Sequence, residues 1–317
     1  MSTLADLLDL RRPVIQAPIG GCAGPELVAA VAEAGGLGLL ACTWATPNEL
    51  AATIAAARTL SAGAIGGNLV LRFPIDQQLD ALLEAGVPIV TFSWGRPGAA
   101  RVRQCHAAGA RVAVQVGTTS AVAALLDDGV DALIVQGSEA GGHVQSTTPL
   151  HQLLPAVLEQ APGVPVIAAG GIATREDVAA VLAAGAQAAM LGTRFVATRE
   201  SRAHTRYKDL LVAAGGLDAV MTLAFDGDWP FGPHRVLRSS TLDRWEAAGC
   251  PWPGERPGEG EAVLTRPDGR AVQRYSDAPP LAGDTGDVDA ACLYAGSGVG
   301  EIDDVPSAGD LMARLSP

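Results

Sequence analysis

The chain is predicted to fold as an α/β protein, a (β/α)8 TIM barrel with a C-terminal capping extension, and three observations carry that prediction. Between residues 13 and about 214, eight short apolar runs alternate with Ala- and Leu-rich stretches. Several of those stretches open on Ser, Thr or Pro and close on Gly, the signals of helix starts and stops. The turn after the first run reads Ala17-Pro18-Ile19-Gly20-Gly21, which lacks the GxGxxG that a doubly wound open sheet carries at that point.

The runs lie at 14–17, 37–41, 67–71, 89–92, 112–116, 132–135, 166–169 and 188–191. Strands that alternate with helices pair in parallel through right-handed crossovers, and eight of them close a barrel more readily than they extend an open sheet. The intervening helical stretches include 25–34, 47–58, 75–84, 120–127 and 174–183. Ala-Gly pairs at 34–35, 85–86, 108–109 and 184–185 read as helix C-caps feeding the next strand. The barrel is therefore assigned to residues 1–214. Residues 215–287 turn rich in Pro, Gly, Trp and charge and are expected to form an irregular segment, either one that wraps the barrel or one that caps its mouth in contact with substrate. Residues 288–317 regain Ala, Gly and Leu and are expected to return to the barrel.

Acidic side chains outnumber basic ones by 34 to 22, a net charge of −12, which disfavours a nucleic-acid surface. Five widely spaced cysteines with no CxxC pair fit a reducing cytoplasm and predict neither a disulfide framework nor a metal site. The N-terminus has no apolar core of a signal peptide and no run approaches a membrane span, so a cytoplasmic protein free of the membrane is expected. The chain has one lysine, Lys208. Schiff-base chemistry, or a lysine clamp on phosphate, must use that residue or be absent.

In barrels of this kind the chemistry sits at the C-terminal ends of the strands. Those ends carry residues 16–21, 42–44, Asn68, Ser93-Trp94, Gln115, residues 136–143, Gly170-Gly171 and Gly192-Thr193. Glu139 is the single carboxylate among them, which disfavours paired-acid hydrolysis and metal-assisted enolisation. Asn68, Gln115 and Gln136 offer neutral donors and acceptors suited to the edge of a heterocycle. Gly170-Gly171 and Gly192-Thr193 follow the seventh and eighth runs, where barrels bind phosphate through backbone N–H groups. Gly20, Gly21, Gly141 and Gly142 permit close approach of the same ligand. Phosphate plus an amide-bonded ring describes FMN, although a nucleotide or phosphosugar meets part of the description. His143, at the end of the glycine-rich stretch 136–143, is the candidate general base or proton donor. Glu139 would either orient its ring or cap the backbone that follows.

With these residues in view, the sequence resembles the nitronate monooxygenase (2-nitropropane dioxygenase) family of FMN-dependent barrels over nearly its full length. The resemblance rests on Pro13-Val-Ile-Gln-Ala-Pro-Ile-Gly-Gly, Ala34-Gly-Gly-Leu-Gly, Asn68, Gln136-Gly-Ser-Glu-Ala-Gly-Gly-His143, Ala168-Ala-Gly-Gly-Ile-Ala and Leu191-Gly-Thr-Arg-Phe, in that order. It implies FMN contacted by Asn68, Gln136, Gly141, Gly171, Met190, Leu191, Gly192 and Thr193, with His143 as the base at the flavin. It also implies oxidation of alkyl nitronates, and of nitroalkanes after α-proton removal, by O2. Two departures stand out: Val144-Gln145 follows His143 where the family often has a glycine second, and Ser297 stands where it often has Gln. Related flavin barrels are NAD(P)H-driven enoyl-acyl-carrier-protein and quinone reductases, which the same residues would serve. A flavin-free phosphosugar isomerase or lyase barrel is the alternative of a different class.

Overall fold

The computed structural model describes residues 3–227 and 229–316. Eight parallel strands close on themselves: β1 (Val14–Gln16), β2 (Leu37–Ala41), β3 (Ile65–Val70), β4 (Ile89–Ser93), β5 (Arg111–Val116), β6 (Ala132–Gln136), β7 (Val166–Ala169) and β8 (Ala188–Leu191). Closure is made by β1 against β8, in the register Val14 to Ala189 and Gln16 to Leu191.

A helix lies between each consecutive pair of strands, for the local reasons the sequence suggests. Thr46 caps Pro47–Leu60 by accepting from the Glu49 N–H while the Glu49 carboxylate accepts from Thr46, and Thr174 and Asp177 repeat the arrangement at Arg175–Ala183. The Ala-Gly pairs end helices as expected, with Gly35 at φ +91° and Gly185 at φ +109°, a region open to glycine at little cost.

Period-two alternation divides the strand residues between two layers. Val14, Val90, Val112, Leu133, Ala189 and Leu191 pack outward against the helices. Ile15, Leu39, Ile89, Ile134, Ile167 and Met190 fill the interior together with Leu4 and Leu8 of the short helix Leu4–Leu8. Towards the C-terminal ends the inward positions shrink to Ala17, Ala41 and Ala169, and the barrel opens into a cavity.

Residues 215–287, expected to be irregular, instead carry short regular elements. Ala219–Thr222, His234–Leu237 and the two-residue strand Gly142–His143 form one antiparallel sheet, so the loop after β6 is stitched to the extension. Ala262–Thr265, Ala271–Gln273 and Thr285–Gly286 form a second, and the helix Ser240–Ala247 lies between the two in sequence. Strands of two to four residues bounded by Pro and Gly leave no apolar run long enough to announce them. The last helix, Ala308–Leu315, packs on Pro25–Glu33, where Leu311, Met312 and Leu315 join the outer layer of the barrel. No helix among the described residues is long and apolar enough to cross a membrane.

Candidate active site

The cavity at the C-terminal ends of the strands measures about 610 Å3, within the range of small-molecule sites. Of the residues expected to form a site, Gly20, Gly21, Asn68, Gln115, Gln136, Gly141, Gly142, His143, Gly170, Gly171, Met190, Gly192 and Thr193 all line it. Leu191 does not. It follows inward-facing Met190 and so points outward into the helix layer, 1 % exposed.

His143 is set in the cavity wall by backbone pairing opposite His234 and by the Gln136 side chain. Gln136 donates Nε2–H to the His143 carbonyl (3.2 Å) and accepts from the Gln145 N–H at Oε1 (2.8 Å). The imidazole lies flat against the Trp229 indole, centroids 4.2 Å apart and planes 15° apart, with Trp94 edge-on at 6.4 Å. Burial, assisted by the nearby His234, pushes the His143 pKa down to about 3, so the ring is neutral at physiological pH. Its Nε2 is buried without a hydrogen-bond partner among the described residues. His234 differs: Nδ1 is 2.8 Å from the Gly232 carbonyl and Nε2 accepts from the Phe225 N–H at 3.2 Å, so both nitrogens are engaged in the fold.

Glu139 resolves to the capping role. Both carboxylate oxygens accept from Leu150 N–H, at 2.9 and 3.1 Å, at the start of the helix Leu150–Gln160. The three amides also hold protein partners. Asn68 donates to the Thr91 hydroxyl at 3.0 Å, and Gln115 donates to Gln145 Oε1 at 2.5 Å. They present fixed, pre-oriented polar edges rather than free arms. Arg194, the arginine of the Leu191-Gly-Thr-Arg-Phe stretch, is buried and bound to the carboxylate and carbonyl of Asp304, outside the cavity wall.

The glycines divide into two kinds. A Cβ placed on Gly20 or Gly142 would meet no atom within 4 Å, and one on Gly192 would meet only the Ala17 Cβ at 3.7 Å. These positions leave open room, which a ligand can occupy. Gly141 is of the other kind: a Cβ there would stand 2.4 Å from the Gly296 nitrogen, so this glycine serves contact with the C-terminal stretch. The glycine-lined wall is completed by Gly296 and Gly298, with the Gly296 N–H donating to the Thr193 hydroxyl at 2.9 Å. Lys208 is absent from the cavity; its ammonium donates to the Ser201 carbonyl at 2.7 Å. An anionic group held at this wall meets backbone N–H groups and hydroxyls, not lysine. Size, open glycines and donor chemistry together fit a phosphate-bearing flavin such as FMN.

Several wall residues were not foreseen in these roles. Trp229 and Tyr294 come from the extension and the C-terminal stretch, as do Arg266, Arg270 and Leu281. The tryptophan content of the extension was the available signal for Trp229; nothing local pairs it with His143.

Comparison with known proteins places these observations. The sequence profile described as nitronate monooxygenase matches residues 1–76 and 72–317. An octahydroindene-carboxyl-CoA dehydrogenase from Rhodococcus jostii strain RHA1 is 36 % identical over 251 residues, covering 78 % of this chain and 69 % of that protein. Among solved structures, nitroalkane oxidase from Streptomyces ansochromogenes superposes with a TM-score of 0.80 at 32 % identity, covering 98 % of this chain and 96 % of its own. FabK from Thermotoga maritima gives a TM-score of 0.83 at 30 % identity, covering 98 % of this chain and 94 % of its own.

Proposed function

The chain belongs to the nitronate monooxygenase family of oxidoreductases, and on that premise we propose that it is an FMN-dependent enzyme that oxidises alkyl nitronates, and nitroalkanes more slowly, with O2. One observation carries the reading. His143 lies in the cavity wall as a neutral imidazole with a buried nitrogen that the fold leaves without a partner, whereas neighbouring His234 is fully engaged.

The cofactor would be held by Asn68 and Met190 beside its ring and by Gly171, Gly192 and Thr193 around its phosphate. When bound, the flavin supplies the capacity to accept electrons from the substrate and pass them to O2. The protein's part is proton handling and positioning. A neutral nitroalkane must lose its α-proton, and the neutral His143 ring has a lone pair to take it. With a pKa near 3 that base is weak, and it accepts the proton only as negative charge develops on the adjacent nitro oxygens. A preformed nitronate has already lost the proton and places no such demand. In this reading residues 215–287 cap the mouth and contribute Trp229 to the wall.

The identity to a CoA-thioester dehydrogenase favours one second reading, a flavin-dependent dehydrogenase or NAD(P)H-driven reductase acting on acyl thioesters. Oxygen uptake with ethyl nitronate, run beside anaerobic addition of NADH and NADPH, separates the two. Uptake without flavin bleaching by either nicotinamide supports the oxidase. Bleaching without nitronate-dependent uptake replaces it with the reductase. A protein that is colourless and cannot be reconstituted with FMN refutes both.

A further inference from the structure

We propose that the substrate of this site carries an aromatic ring or a comparably flat apolar body, received on a wall formed by Trp44, Trp94 and Trp229, with Phe73 linking Trp44 to Trp229. The proposal rests on the oxidase reading and names the substrate class for it.

The chain has only five Trp, five Phe and three Tyr. Three of the tryptophans nevertheless meet at this cavity, delivered by the ends of β2 and β4 and by the extension. Their rings touch in series. Trp44 lies 5.4 Å from Phe73, Phe73 lies 5.4 Å from Trp229, and Trp229 lies 4.8 Å from Trp94, all in edge-to-face geometry. Trp229 also stacks on His143, so the aromatic surface runs unbroken from the exposed Trp44 to the histidine.

Two features of this wall work against stability. Trp44 is 57 % exposed and keeps a large apolar surface in water, unfavourable by about 25 cal/mol for each Å2 that a partner could cover. Trp94 holds φ +59°, a left-handed conformation that costs a non-glycine residue roughly 1–2 kcal/mol. The barrel core does not require either, since the two clusters that build it contain no tryptophan among the described residues. A ring bound against the wall would cover the Trp44 surface and add the aromatic pairing that edge-to-face geometry favours. Elsewhere the cavity is lined by glycines and by aliphatic side chains such as Ile19, Ile172 and Leu281, which present no aromatic face. A substrate filling this site would set its ring against the tryptophans and its polar, reacting end beside His143.

Phenylacetate and acetate serve as unreactive anions with the planar two-oxygen head of a nitronate. Calorimetry on the flavin-loaded enzyme should give phenylacetate at least about a tenfold advantage over acetate. The advantage should shrink to under about threefold in Trp44→Ala and return in Trp44→Phe, with kcat/KM for phenylmethane nitronate over ethyl nitronate moving in parallel. A tenfold preference in binding with no nitronate oxidised would uphold the wall and remove the oxidase reading. Oxidation of both nitronates without preference for the ring would uphold the oxidase and overturn the wall. A Trp44→Ala variant that loses flavin while keeping the preference would also overturn it, assigning the wall to the cofactor.

Discussion

The two walls of the cavity are built by opposite means. One is backbone: Gly20 and Gly192 leave open volume, and Gly170, Gly171, Gly296 and Gly298 line the cavity without side chains while their Cβ positions face neighbouring protein. The other is rings: Trp44, Trp94, Trp229, Tyr294 and His143 project large side chains from five separate segments. The backbone wall is specific through what is absent and suits a constant group such as a phosphate. The ring wall is specific through shape and suits the variable part, the substrate.

The contrast can be broken most sharply at its glycines. Gly141→Val should abolish the folded protein, because its Cβ would enter the backbone of residues 295–296 at 2.4–2.6 Å. Gly20→Ala, where a Cβ meets nothing within 4 Å, should fold normally and lose flavin affinity instead. Thermal melting and flavin absorbance of the two variants decide this. A folded, yellow Gly141→Val protein would refute the assignment of that glycine to the fold.

At the ring wall, His143→Asn should retain flavin and lower nitroalkane turnover by roughly 10²–10⁴-fold. Turnover of the preformed nitronate should fall much less, since no proton has to be removed. Equal losses on both substrates, read by oxygen uptake, would remove the base assignment.

A smaller effect should appear in stability against pH. In the unfolded chain His143 titrates near its ordinary 6.5, whereas the folded site takes the proton only near 3. Between those values the unfolded state binds more protons, so stability is whole above about pH 6.5 and declines as pH falls towards 3. The melting temperature should drop across that window, and less steeply in His143→Phe. An identical slope in the variant would mean that the ring is not held neutral by its surroundings. Smallest of all, Lys208→Met should lose about 1 kcal/mol with its carbonyl hydrogen bonds and leave flavin loading unchanged. Loss of flavin in that variant would contradict a cofactor site free of lysine.

The two walls also differ in how far the sequence reveals them. The eight strands, their capped helices and the backbone wall were legible because each rests on a local signal: alternating period, Thr46 and Thr174 caps, paired glycines at strand ends. Leu191 escaped because a motif spans both faces of a strand while the cavity sees one. Trp229 and His234 took their places only through the pairing of Gly142–His143 with His234–Leu237, two-residue and four-residue strands too short to show periodicity. Gly141 and Glu139 were located correctly, but what they touch depends on residues 295–297 and Leu150, which spacing alone does not bring near.

That stitching of the loop after β6 has a bearing on the order in which the protein can become active during synthesis. When the eighth strand has left the ribosome, every strand of the barrel exists, yet the loop bearing His143 still lacks its partners. It waits for His234 to supply its neighbouring strand and for residues 295–297 to pack against Gly141, with the Ser297 N–H donating to the Glu139 carbonyl. The barrel is therefore a scaffold before it is a receptor, and the cavity is complete only after residue 298 has joined its wall.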